Sequence, residues 1–323
     1  MKEGSYSWST QSHTAFDTTV VLVDTDNDVT GVGECCPLGP TYLPAYAHGV
    51  RAGILQLAPG LIGHNPTEID RINDTMDVLL KGHPYVKSAI DMACWDILGK
   101  VTGLPLYTLL GGLRQEKVTL YKVVTRTDPG AMAERIPEYR AQGYRQFQVK
   151  VGEDPATDII RIHRVAQEME AGEVLNADAN TGWKQHEALQ VANAIAELGT
   201  QTGIRLTFEQ PCLSYRECLA VRHHTNLPFV LDECIDSLDA LLQASHDRAM
   251  DMINLKISRF GGLTRARQAR DLCVSLGLPM NVEDSWGGEI TTAAIAHLAH
   301  STPPAFQFQS SAFHEYAENY LSN

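Results

Sequence analysis

Beyond Gly112 the chain alternates between two textures, and this constrains its fold more than any other feature. Short runs of β-formers recur: VTLYKVV (118–124), QFQVKV (146–151), VLNAD (174–178), RLTFE (205–209), PFVLD (228–232), MINLKI (252–257), PMNVED (279–284) and AFQFQS (305–310). Between them lie stretches of helical periodicity such as AMAERIPEYRAQ, TDIIRIHRVAQEME, HEALQVANAIAEL and TRARQARDLCVSL. Eight strand–helix alternations, one every 23–31 residues or so, predict a (β/α)8 barrel. The region before Gly112 is different. Residues 16–34 read as a β-hairpin turning at DND, and helical periodicity follows at about 47–58, 68–80 and 86–101, the last stopped by Gly103 and Pro105.

With 323 residues, 44% of them hydrophobic, the chain has room for a barrel and a smaller α+β region. Its formal charge of −13, with no basic stripe, argues against a nucleic-acid partner. No apolar stretch approaches the length of a membrane span, and MKEGSYSWSTQ has no signal-peptide core, so no membrane partner and a soluble cytoplasmic location are expected. The seven cysteines are odd in number and contain no CxxC pair, which reads as reduced core thiols.

The chemistry sits at the ends of the runs. Six successive strands carry a charged residue at or near the C-terminal end: Lys150, Asp178, Glu209, Asp232, Lys256 and Asp284. In a barrel of this type the C-terminal rim is where loops converge and chemistry happens. A single Lys or Asp ending a strand is ordinarily a solvated edge residue; six in strand order are not expected by chance. Asp178, Glu209 and Asp232 form an all-oxygen donor set, which selects a hard cation, Mg2+ first and Mn2+ next. Lys150 and Lys256 flank the trio in strand order and would lie on opposite sides of the metal. Each reads as a base whose pKa the cation and partial burial would lower. A small-molecule carboxylate substrate chelating the metal would then lose its α-proton to one amine. The resulting enediolate would be stabilised by the dication. Two amines on opposite faces allow racemisation or epimerisation, whereas a β-leaving group turns the same intermediate toward elimination.

The order KVG, ADAN.GW, FEQP, LDE, LKISRFGG and EDSWGG, with HPYVKSAIDMACWDILGK and LLGG before it, resembles the enolase superfamily in its muconate-lactonizing subgroup. The resemblance covers nearly the whole chain. It implies an α/β fold: a modified (β/α) TIM-type barrel at 113–312 and an α+β capping domain at 1–112. Residues 313–323 would begin a C-terminal return to the cap. It implies Asp178, Glu209 and Asp232 as metal ligands, Lys150 and Lys256 as acid/base catalysts, and a homo-oligomer. The stretches KEGSYSW, CPLGPTYLPAYAHGV, QVKVG and EDSWGGEI look most like enzymes acting on proline betaines and hydroxyprolines. By that likeness Asp284 would face a substrate ammonium, and Tyr42 and Trp286 would pack a quaternary ammonium, Trp286 being equally a candidate for the core. Gln148 and Asn180 complete the expected substrate contacts. Gln148 departs from the subgroup, which often has lysine there. The first family strand and most of the C-terminal return are expected to be missing from this chain.

The leading expectation is therefore a Mg2+-dependent racemase or epimerase of a proline betaine or hydroxyproline. Its rivals are a dehydratase of a cis-3-hydroxy-L-proline-like substrate and a barrel that binds ligand without turning it over. Muconate cycloisomerisation fits less well, since Asp284 would repel a dianion.

Overall fold

The computed structural model describes residues 1–2 and 4–316, so most of the expected C-terminal return lies outside the described residues. The chain forms two compact units: Leu120–Asn254 together with N-terminal residues up to Thr14, and Ala15–Thr119 together with the described residues from Leu255 onward.

The first unit is built from the β-former runs. Strands Lys122–Val124, Gln146–Lys150, Val174–Asp178, Arg205–Glu209 and Phe229–Leu231 are parallel and lie side by side in sequence order. The start of Met252–Lys256 extends the series, pairing Met252 with Val230 and Ile253 with Leu231. Parallel neighbours need a crossover, and each is a helix with a defined start. Asp128 and Asp154 cap helices Pro129–Ala141 and Pro155–Gln167, each with proline at the first turn, and Ser214 and Glu217 form a capping box for Tyr215–Arg222. The helices bury one face, Ile162, Val165 and Ala166 in the case of Pro155–Gln167. The strands are buried almost throughout, as parallel strands covered by helices must be.

A small hairpin, Tyr6–Trp8 with Gln11–His13, belongs to this unit. It is anchored by Ser7 N donating to Thr125 Oγ1 at 2.6 Å and Ser9 N donating to Val151 O at 3.1 Å. Three-residue strands without a β-branched run give no sequence signal, and the hairpin was not expected.

In the second unit the expected hairpin is present as Thr19–Asp24 and Thr30–Cys35, and the helices are Ala47–Leu61, Ile69–Leu79 and Pro84–Thr102. The last ends at Gly103 in the left-handed region, φ 66°. The strand TGVGEC lies flush on this helix: a Cβ on Gly33 would meet Ala89 O at 1.9 Å, and one on Gly31 would meet Ala93 O at 2.2 Å. Backbone cannot yield as a side chain can. Gly33→Ala is therefore expected to cost about 3 kcal/mol or more, read as a lowered urea midpoint by circular dichroism; an unchanged midpoint would refute the flush packing.

The same unit holds strand Met280–Glu283 paired in parallel with Gln307–Ser310, and helices Leu263–Leu276 and Glu289–His300. Glu34, fully buried, accepts from Gly288 N at 2.8 Å and Thr291 N at 3.0 Å, and so supplies the cap that the start of Glu289–His300 lacks in its own sequence. All seven cysteines are free, six of them buried. No described helix is long and apolar enough to cross a membrane.

Candidate active site

The parallel register aligns the charged strand ends of the first unit. Lys150 pairs with Asp178, and Asp178 with Glu209, across adjacent strands. Asp232 follows immediately after Phe229–Leu231. All three carboxylates are fully buried, and Lys150 is 5% exposed. Lys150 Nζ donates to Asp178 Oδ2 at 2.5 Å. Burial works against its ammonium, but Asp178, Tyr6 and Glu209 outweigh that and hold its pKa above the ordinary lysine value. Asp178, turned to the amine, is the partner that most favours its charged form. The Tyr6 ring, brought in by the unexpected hairpin, has its centroid 5.9 Å from Nζ.

Glu209 is held from below by amides. Gln148 Nε2 reaches both its oxygens at 3.3 Å, Asn254 Nδ2 donates to Oε1 at 2.6 Å, and Asn176 Nδ2 donates to Oε2. Thr207 Oγ1 donates to Asn176 Oδ1 at 2.8 Å. Each of these residues stands two positions before a strand-end charge: Gln148 before Lys150, Asn176 before Asp178, Thr207 before Glu209, Asn254 before Lys256. Strand side chains alternate faces, so i and i+2 share one. A layer of amides and a hydroxyl therefore supports the layer of charge. The sequence contained that signal, but only Gln148 was singled out, and as a substrate contact; here it braces Glu209.

Asn180 lies in a left-handed turn, φ 42°. Its Nδ2 donates to Glu233 Oε1 at 3.0 Å, while its buried Oδ1 makes no hydrogen bond. Among the described residues no group of three or more Asp, Glu, His or Cys is gathered as a ready-made metal cage. The donor set nevertheless fits a hard dication. Asp178, Glu209 and Asp232 are all-oxygen, all buried, and stand at or just beyond the ends of consecutive strands, with Asp178 Oδ2 accepting from the Lys150 ammonium.

The second unit carries Lys256, Tyr42, Asp284 and Trp286. Lys256 Nζ donates to Tyr42 Oη at 3.0 Å and stands 3.6 Å from Glu283 Oε1. Asp284 Oδ2 accepts from Ser258 N at 3.0 Å and Ser258 Oγ at 2.8 Å, and its Oδ1 from Ser285 N at 2.7 Å. Trp286 packs against Phe16, Phe313 and Tyr316, with centroids 4.5, 5.1 and 5.8 Å away. Only 6% exposed, it has the surroundings of a core residue.

Burial pushes the Asp284 carboxyl up to about 6, against the pull of its hydrogen bonds and of Lys256. The folded value exceeds the unfolded one, so the native state binds the extra proton. Stability is then greater below the unfolded pKa and falls as pH rises through the folded one. The loss approaches about 3 kcal/mol. Denaturation midpoints of the protein and of Asp284→Asn at pH 4.5 and 7.5 test this: the variant should gain on the parent at the higher pH. Parallel pH dependences would show that burial does not govern Asp284.

These features, an α/β scaffold with charged strand ends and a hairpin-plus-helices region preceding it, define a class. Residues 131–323 match the family described as enolase C-terminal domain-like, and residues 6–111 match the mandelate racemase / muconate lactonizing enzyme N-terminal domain. The chain belongs to the enolase superfamily, in the mandelate racemase/muconate lactonizing family. Its fold is the modified (β/α) barrel with an α+β capping domain, and it is an enzyme of that family. Among its relatives is the cis-3-hydroxy-L-proline dehydratase of Roseibium aggregatum, 52% identical over 98% of this chain and 85% of the relative. The N-succinyl-L-Arg/Lys racemase of Bacillus cereus is 29% identical over 90% of this chain and 78% of its own. A crystal structure of an enolase-superfamily member from Roseovarius nubinhibens ISM, complexed with magnesium, superimposes with a TM-score of 0.89. It is 41% identical and matches 98% of this chain and 84% of that one.

Proposed function

We propose that this protein dehydrates a β-hydroxylated cyclic amino acid of the cis-3-hydroxy-L-proline type. The observation that carries the reading is the register of Lys150, Asp178 and Glu209 on adjacent strand ends, a buried amine beside a buried all-oxygen donor set. The 52% identity to a dehydratase supports elimination over simple inversion. Lys150 takes the α-proton, Lys256 is the second acid/base group, and Asp284 offers its carboxylate to the substrate ammonium. Asp178, Glu209 and Asp232 would hold Mg2+, which supplies the positive charge that stabilises an enediolate.

Epimerisation at Cα is the second reading. It is favoured by a lysine at the end of two different strands, Gln146–Lys150 and Met252–Lys256, and by relatives that are racemases or epimerases. Both readings share α-proton abstraction, so one experiment separates them. Proline, its betaines and its 3- and 4-hydroxylated forms are incubated in D2O with Mg2+ and followed by NMR and polarimetry. Dehydration predicts an olefinic or imine product from the cis-3-hydroxy acid alone. Inverted, α-deuterated substrate with no such product would favour the epimerase, and inertness toward the whole panel would exclude both.

A further inference from the structure

Tyr42 has an environment that the lysine roles do not account for. Its phenol oxygen accepts from Lys256 Nζ at 3.0 Å and from Arg259 Nη2 at 2.9 Å. Both cations also approach the ring, at 5.5 and 6.0 Å from its centroid. Arg259 is 1% exposed and sits in the short helix Ile257–Phe260 directly after the strand that ends in Lys256. A phenol oxygen has two lone pairs and one proton. Two cationic donors occupy the lone pairs, so the O–H is directed away from both. Arginine keeps its proton at any working pH, so of the two donors on the phenol oxygen only Lys256 can give one up.

We infer that Tyr42 is the general acid that protonates the departing β-hydroxyl, held in place by Arg259 and recharged by Lys256. This rests on the proposed dehydration. In the step, the Cα–H bond breaks with its proton going to a lysine amine. The electron pair forms Cα=Cβ, and the Cβ–O bond breaks. The leaving oxygen takes the Tyr42 proton and departs as water, and Lys256 returns a proton to the phenolate. No oxidant or reductant is needed. Tyr42 is the catalytic residue here; Arg259 acts through it and is a positioning residue.

The test uses Tyr42→Phe and Arg259→Lys with cis-3-hydroxy-L-proline in D2O and Mg2+, following α-deuterium in recovered substrate and dehydrated product in the same sample. A general acid is worth about 10²–10⁴-fold. In Tyr42→Phe, dehydration should fall at least 100-fold while α-exchange persists within tenfold of the parent's turnover, so that deuterated substrate accumulates. Arg259→Lys should shift the same ratio in the same direction, by less. Elimination reduced under fivefold in Tyr42→Phe overturns the assignment, and so does an equal fall of exchange and elimination, which would place Tyr42 in proton abstraction or binding. A parent protein that neither exchanges nor dehydrates would instead remove the dehydratase reading beneath it. Melting curves of both variants identify any loss caused by unfolding.

Discussion

Lys150→Met is expected to lose α-proton exchange by about 10²–10⁴-fold, the usual worth of a positioned general base, and to lose stability at the same time. Methionine keeps most of the volume of the side chain in a strand that is buried from end to end. What disappears is the amine that meets Asp178 Oδ2 at 2.5 Å. Breaking a buried ion pair from one side leaves an uncompensated charge, at a cost of roughly 3–5 kcal/mol. The destabilisation should be read in metal-free buffer, where Asp178 has no other cation to face. Lys256→Met removes an amine with a different partner, Tyr42 Oη at 3.0 Å, and leaves the Lys150–Asp178 pair intact. The measurements are deuterium uptake at Cα and urea midpoints in metal-free buffer. Exchange at the parent rate in Lys150→Met would take this lysine out of the chemistry.

The strands that carry the charges were legible because a short run of β-formers and a terminal charge are both local properties. VLNAD and RLTFE are strands over the very residues read from the sequence, Val174–Asp178 and Arg205–Glu209. The supports were harder to read. That Asn254 and Asn176 grip Glu209 depends on register between strands 45 and 33 residues away in sequence, which a local pattern does not contain. Arg259 was invisible for a similar reason: its partner, Tyr42, is 217 residues distant. The hairpin at Tyr6–Trp8 escaped because two of its anchors, Val151 O and Gly152 O, are backbone carbonyls that any sequence would offer, and the third, Thr125, lies 118 residues from Ser7. Trp286 shows the limit from the other side. An aromatic residue beside a charged strand end suits a ligand box and a core equally well, and only its neighbours Phe16 and Phe313 decide.

Added Mg2+ is expected to raise the denaturation midpoint of the protein, and Glu209→Gln to abolish the response. A ligand bound only by the native state stabilises it by about 2.7 kcal/mol at a hundred times its dissociation constant. Gln148, Asn176 and Asn254 aim amide N–H groups at the Glu209 oxygens, so the carboxylate is fixed in place before any ion arrives. Glutamine is nearly isosteric but presents an NH2 to those donors and removes one negative charge. It should therefore lose both the cation and part of its own support, lowering stability by about 1–3 kcal/mol for the donors left unmatched. Asp232→Asn should lose the Mg2+ response as well. The readout is a thermal shift against Mg2+ and Mn2+ titrated into chelator-treated protein, with no substrate present and no dependence on turnover. A midpoint that ignores both cations, or one that rises equally in Glu209→Gln, would remove this carboxylate trio from metal binding. Lys150 would then have to be understood as a structural counter-ion to Asp178 rather than as a base.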